Sequence, residues 1–305
     1  MTAPFVQGRF ADLPEKPTIP HGYFDVPSRD VVVRGTDLGD VRIHYREAGE
    51  GEPLLLVHGL MTTSYSWRYV LGDLAKKRRV IALDLPGAGR SEMVRGRYTP
   101  DVLARFIGAF MEQVGIDGSD VVGNSMGGYL TMRLAIERPS AIRRLVCIHA
   151  PMFPLPRMHA LRFATRLPGA SALLHALVRR DPLRWAHRNV HYYDESLKSL
   201  EEAREYGMPL ATREGSDAFF HYLADTLDPR AFGEFARTLA TVRPFPVPLM
   251  LLYTKEKDPM VPPEIGEKLA ALLPEAKMVW LERASHFPHV DAPRATLDAL
   301  GEFLG

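Results

Sequence analysis

Apolar residues fall in short unbroken runs through residues 31–150 and 247–305, and at helical spacing between those stretches. "PLLLVHG", "RRVIALDLPG", "SDVVGNS" and "IRRLVCIHA" each end in a polar or glycine-rich turn. Such runs suit strands covered on both faces of a parallel sheet. Ahead of them, "DVVVRG" and "VRIHYREAG" predict an antiparallel pair. Pro100–Val114 places Val102, Leu103, Phe106, Ile107 and Phe110 along one face of a helix. The alternation resumes with "PVPLMLLYT", "PPEIGEKLAALLP", "AKMVWLE" and "APRATLDALGEFLG". Strand and helix in turn predict an α/β fold with a mostly parallel, doubly wound sheet.

The pattern breaks over 151–246, a stretch rich in Arg, His, Tyr and Phe and mainly helical in period. It predicts a helical cap inserted after a central strand, over the edge of the sheet where α/β proteins keep their sites. Residues 1–30 carry five prolines and read as an irregular arm. The composition narrows the function classes. Of 305 residues 46% are hydrophobic, and 38 Lys+Arg face 37 Asp+Glu, so general affinity for nucleic acid is not expected. Cys147 has no second cysteine to pair with. The first residues lack the basic-then-apolar layout of a signal peptide, and no run reaches membrane-spanning length. The expectation is a cytoplasmic protein, with monomer and homodimer both open.

The sharpest chemical signal is Gly123-Asn124-Ser125-Met126-Gly127, between the strand-like "DVVG" and the helical "MGGYLTMRLAIERP". A tight strand-to-helix turn needs small residues at Gly123 and Gly127, lifts the serine hydroxyl clear of the sheet, and aims the first helical N–H groups at the same spot. A hydroxyl is a poor nucleophile near neutral pH and needs a base, which needs an orienting acid. "LMLLYTKEKDPMVP" offers Asp258, with Glu256 as the competitor, and "AKMVWLERASHFPHVDAP" offers His286, with His289 as the competitor.

Five blocks in order, "LLLVHGLMTTSYSWRYV", "ALDLPGAGRSE", "GNSMGG", "DPMVPP" and "SHFPHVDAP", resemble those of the α/β-hydrolase superfamily from about residue 30 to 305. The resemblance implies a mostly parallel eight-stranded sheet flanked by helices, with a helical cap after the sixth strand. It also implies Ser125 as nucleophile, His286 as base and then acid, and Asp258 as orienting carboxylate. The backbone N–H groups of Leu60 and Met126 would form the oxyanion hole, supported by His58 and Gly59. Two positions depart from the family: Lys255 and Ser285 stand where glycines are usual. His149 lies where some relatives keep an acid and is read as a pocket-wall residue, with Cys147 beside it as core packing.

Blocks around His58 and Tyr65–Arg68 are similar to those of haloalkane dehalogenases and epoxide hydrolases as well as esterases. Those two classes attack with a carboxylate, because water can then cleave the alkyl ester at its carbonyl. A serine attacking the same carbon would leave a stable ether. Leu60 and Met126 also carry no side-chain N–H to hold a halide. Acyl chemistry on a small to medium, mainly apolar ester or lactone is the expectation, with no metal and no organic cofactor. "GNSMGG" also resembles carbon–carbon bond hydrolases of vinylogous diketones, although Phe287 stands where those usually carry tryptophan; Arg184 and Arg188 are candidates for their cap arginine. A low-turnover ligand-binding protein on the same fold is the reading from another class. Across 157–188 seven arginines face a single acid, Asp181, with Leu155, Met158 and Leu161 between them. A solvated face over an apolar pocket roof is the plain reading of this stretch, and contact with anionic lipid or attraction of anionic substrates the alternative.

Overall fold

A computed structural model describes residues 4–256 and 258–305 of the chain. The eight expected runs form β1 (Ser28–Thr36), β2 (Gly39–Ala48), β3 (Pro53–Val57), β4 (Arg79–Leu83), β5 (Ser119–Asn124), β6 (Ile142–Ile148), β7 (Leu249–Thr254) and β8 (Lys277–Leu281). They make one sheet in the order β1-β2-β4-β3-β5-β6-β7-β8. β1 pairs with β2, and β2 with β4, antiparallel; the remaining pairs are parallel. This is the mostly parallel eight-stranded sheet that the resemblance implies.

Side-chain alternation explains why the central strands read as unbroken apolar runs. On β3, Leu55 and Val57 join the core under α2 (Pro100–Gln113) and α3 (Met126–Glu137). Leu54 and Leu56 join the opposite layer, with Trp67, α1 (Leu71–Leu74) and α12 (Pro293–Leu304). β6 and β7 divide in the same way, Cys147 and Leu251 to one layer and Val146 and Leu252 to the other. Each such Leu or Val contributes roughly 1.5–3 kcal/mol by leaving water. α10 (Glu264–Leu272) and α11 (Pro288–Asp291) complete the set around the sheet.

Between β6 and β7 the chain turns helical. It forms α4 (Pro156–Thr165), α5 (Ala170–Arg180), α6 (Pro182–Asn189), α7 (Leu200–Gly207), α8 (Arg213–His221) and α9 (Pro229–Thr241). α8 runs on into a π-helical turn at Tyr222–Thr226. Polar contacts hold this segment on the sheet. The Arg68 guanidinium, fully buried, donates to Glu202 of α7 at 2.7 Å, and Glu202 also accepts from the Tyr192 hydroxyl at 2.7 Å. Tyr222 donates to the Pro86 carbonyl at 2.6 Å, and Arg90 grips Glu205 with two bonds of 2.8 Å. The N-terminal residues lie on the helical segment: Leu200 N–H donates to Pro14, Glu201 N–H to Glu15, and Phe5 N–H to Tyr193. They hold two short 3₁₀ turns, Phe10–Asp12 and Tyr23–Asp25, and the first strand begins at Ser28.

A buried pair relieved of one partner leaves an uncompensated charge. Arg68→Met is therefore expected to lower unfolding stability by roughly 3–5 kcal/mol in urea titrations, and adding Glu202→Leu is expected to recover part of that loss. Equal stability of wild type and Arg68→Met would contradict this account of the pair.

Candidate active site

Ser125 sits between β5 and α3 with φ 53° and ψ −120°, a backbone conformation that a side-chain-bearing residue rarely adopts. The surrounding glycines show what allows it. A Cβ on Gly123 would come within 2.6 Å of the Gly127 carbonyl and the Gly128 nitrogen, and one on Gly127 would run into the carbonyls of Val57 and His58. A Cβ on Gly59 would meet the Ser125 Cβ at 3.0 Å. Strand, helix and the loop after β3 thus meet at backbone distance. Ser125 N–H donates to the Ile148 carbonyl at 2.8 Å, and Tyr129 N–H donates to the Ser125 carbonyl at 3.0 Å, so the corner is tied on both sides.

The loop after β3 is fixed by His58. Leu85 N–H donates to its Nε2 at 3.0 Å, which leaves the proton on Nδ1 to reach the Gly59 carbonyl at 2.8 Å. Burial holds this imidazole below its ordinary value, in keeping with a neutral ring. The Gly59 carbonyl also accepts from the Thr62 hydroxyl at 3.0 Å. In a trans peptide the N–H points opposite to the carbonyl, so clamping that oxygen turns the Leu60 N–H the other way. Met126 N–H opens α3 and has no carbonyl partner within the helix. Leu60 and Met126 both line the cavity that holds Ser125.

His286 and Asp258 meet as the sequence suggests. His286 Nδ1 lies 3.0 Å from Asp258 Oδ2, and Asn124 Nδ2 donates to the His286 carbonyl at 2.9 Å, which anchors that loop beside the serine corner. The carboxylate accepts at Nδ1, so the Nε2 lone pair is left free. Asp258 Oδ1 accepts from Met260 N–H at 2.6 Å. Burial alone would raise the Asp258 carboxyl, but the imidazoles of His286 and His149 together with this N–H outweigh it and hold the group below the usual carboxylate range. The competitors face elsewhere. Glu256 accepts from Arg283 N–H at 3.2 Å, and His289 stacks on the Trp67 ring at 4.3 Å, fully buried.

His149 is a correction to the sequence reading. It is wholly buried, is not among the cavity-lining residues, and stands behind Asp258 with Nδ1 3.3 Å from Oδ2. Thr254 N–H donates to its Nε2 at 2.8 Å, so that nitrogen is an acceptor and the proton of the neutral ring sits on Nδ1, close to Asp258 but without a hydrogen bond to it. Burial pushes its pKa down to about 3. The three side chains lie close enough together to suggest a metal cluster. With a proton on His149 Nδ1, the nitrogen nearest Asp258 is a donor and has no lone pair for an ion.

Ser285, in place of the usual glycine, has its own partners. Its N–H and hydroxyl donate to Asp291 Oδ2 at 2.8 and 2.5 Å, and its hydroxyl accepts from Phe287 N–H at 3.3 Å. Asp291 in turn accepts from Asp194 N–H at 3.4 Å, which links the histidine loop to the helical segment. Lys255 N–H extends the β7–β8 pairing by donating to Leu281.

Ser125 and His286 open on a cavity of about 480 Å³. Its walls are mainly apolar: Met158 and Leu161 of α4, Leu174 of α5, Phe219 of α8 and Phe287. Arg157 lines it too and donates to the Pro259 carbonyl at 2.8 Å, whereas Arg184 and Arg188 do not line it. Trp185 and Phe219 reach the cavity, while Tyr192 and Tyr222 are buried in the packing beneath.

A family model described as "Alpha/beta hydrolase family" matches residues 54–299. The chain belongs to that family. This hydrolase is 25% identical over 280 residues to 2-hydroxymuconate semialdehyde hydrolase of Pseudomonas sp., covering 90% of this chain and 93% of the relative. It is 28% identical over 283 residues to haloalkane dehalogenase 2 of Mycobacterium bovis, covering 87% and 92%. A thermophilic esterase from Thermogutta terrifontis has a similar fold, with a TM-score of 0.71, 21% identity, and coverage of 90% and 98%. Among the described residues of the hydrolase, no helix is long and apolar enough to cross a membrane.

Burial pushes the Asp291 carboxyl up to about 7, against the lowering effect of its hydrogen bonds from Ser285 and the 193–194 backbone. A carboxyl raised in the folded state contributes stability that is complete below the unfolded value of about 4 and is lost as pH rises toward the folded value. Thermal melts between pH 5 and pH 8 are expected to show a falling stability that Asp291→Asn flattens. An identical slope in the variant would contradict this.

Proposed function

We propose that this hydrolase cleaves carboxylic esters or lactones of a small to medium, mainly apolar substrate through an acyl-enzyme. One observation carries the reading: a serine on a strained corner shares an apolar cavity with an imidazole whose far nitrogen is held by a buried carboxylate. His286 Nε2 takes the proton from Ser125 Oγ as the oxygen attacks the carbonyl carbon. The oxyanion faces the N–H groups of Leu60 and Met126, each worth roughly two to three powers of ten in turnover. His286 returns the proton to the departing alcohol, then takes one from the water that opens the acyl-enzyme. Asp258 keeps the imidazole oriented and stabilises its charged form, and His149 faces the same carboxylate oxygen from behind.

In this reading residues 151–246 act as a cap that shapes the acyl or alcohol subsite. Dehalogenation is disfavoured despite the likeness to a dehalogenase, because serine attack at a halide-bearing carbon ends in an ether that water does not open. Carbon–carbon cleavage of a vinylogous diketone is the second reading, favoured by the likeness to 2-hydroxymuconate semialdehyde hydrolase and by the cationic Arg157 at the cavity wall.

Rapid mixing with p-nitrophenyl butyrate is expected to release a burst of nitrophenol close to one per chain. Ser125→Ala is expected to remove the burst and lower turnover by roughly a thousandfold or more. Equal rates in both proteins would overturn the enzyme reading. A higher kcat/KM on a vinylogous diketone than on any ester or lactone of a panel would favour carbon–carbon cleavage instead.

A further inference from the structure

Residues 156–180, which form α4 and α5, contain five arginines, two histidines and no acid. Their outward face is not polar. Phe163 is 70% exposed, Leu173 62%, Leu177 51% and Leu167 49%. Within α4 and the turn after it, Ala160, Phe163, Ala164 and Leu167 are exposed at helical spacing, and on α5 so are Leu173, Ala176 and Leu177. A surface helix ordinarily turns such a stripe inward. Here the inner face is occupied as well: Met158 and Leu161 of α4 and Leu174 of α5 line the cavity of Ser125, and Val178 is buried with Leu210 and Phe219. The hairpin is therefore apolar toward the site and apolar toward solvent. Arg166, Arg179 and Arg180 are exposed around the outer stripe.

An exposed apolar patch rimmed by polar residues marks a surface that meets a partner. Within α4 and α5 themselves the charged residues of the rim are all cationic, the neighbouring Asp217 and Asp228 pairing with His175 and Arg162. We propose that the α4–α5 hairpin docks on an anionic phospholipid bilayer, lying in the plane of the interface. Charge chooses between the candidate occupants. A second copy seated on this face would bring arginine against arginine, with no acid in either stretch to offset them. A bilayer surface bearing phosphate headgroups supplies both an apolar interior for Phe163 and Leu173 and negative charge for the rim. The two helices are too short to span, so docking is interfacial. The same helices wall the cavity of Ser125 on their inner side. The docking itself does not rest on ester chemistry.

The test is co-sedimentation of the full chain with vesicles of phosphatidylcholine alone and of phosphatidylcholine mixed with phosphatidylglycerol. Wild type is expected to partition about tenfold or more in favour of the anionic vesicles, and to lose most of that preference at about 0.5 M salt. Phe163→Ser combined with Leu173→Ser is expected to lower binding about tenfold or more while thermal melting and hydrolysis of a soluble ester stay at wild-type level. Replacing Arg166, Arg179 and Arg180 by Gln is expected to abolish the preference for anionic lipid. Absence of vesicle binding, equal binding to both vesicle types, or unchanged binding in the Phe163/Leu173 variant would overturn the proposal. Sedimentation velocity adds one more contradicting outcome: a wild-type dimer that the same variant converts to monomer, with no vesicle binding, assigns the face to a second copy. The vesicle readout stands even where no ester is turned over, so its failure is separate from failure of the catalytic reading.

Discussion

Backbone-to-backbone contact at the Ser125 corner is the constraint on which the site depends. Three chain segments converge there: the end of β5, the start of α3 and the loop after β3. Gly59, Gly123 and Gly127 are the residues that let them do so. Serine in a positive-φ conformation costs of order 1–3 kcal/mol, and the bonds from Ser125 N–H to Ile148 and from Tyr129 N–H to Ser125 hold it in place. The apolar sheet beneath offsets that cost many times over. The hydroxyl then stands at the floor of a cavity with the first N–H of a helix beside it.

Around this corner the polar groups form a chain in which each proton has an assigned place. Thr254 N–H fixes the tautomer of His149, which leaves its proton on Nδ1, near Asp258 but not hydrogen-bonded to it. Asp258 stays ionised between two imidazoles, and His286 is left with a free nitrogen toward the cavity. His58 is set by the same logic on the opposite side, where Leu85 N–H decides its tautomer and the Gly59 carbonyl receives its proton. Two buried neutral histidines, His58 and His149, are thus set by backbone groups, while His286 is held through Nδ1 by the carboxylate.

Much of this was legible in the sequence, and the reasons differ from place to place. The strands were readable because β3 and β7 are covered on both faces and carry unbroken apolar runs, Leu54–Val57 and Leu249–Tyr253, while in β5 the buried Val121 and Val122 give the shorter signal. The serine corner was readable because only glycine tolerates the approaches at 123 and 127. The position of His149 was not, since its burial comes from β7 lying against β6, a pairing between segments about a hundred residues apart. Ser285 looked like a departure from glycine because its partner, Asp291, is one turn further on and its role appears only once the loop closes on the helical segment. Arg157 was hidden among seven similar arginines, and only the fold singles it out at the cavity wall. The exposure of Phe163 and Leu173 is likewise decided by how α4 and α5 pack, not by their place in the sequence.

A phosphonofluoridate whose phosphorus accepts an activated serine oxygen tests the central claim most directly, read by intact mass and peptide mapping. The account predicts one adduct per chain, on the peptide containing Ser125, and a rate that collapses in His286→Ala. An adduct on a different residue, or labelling of Ser125 at the same rate without the imidazole, would contradict it.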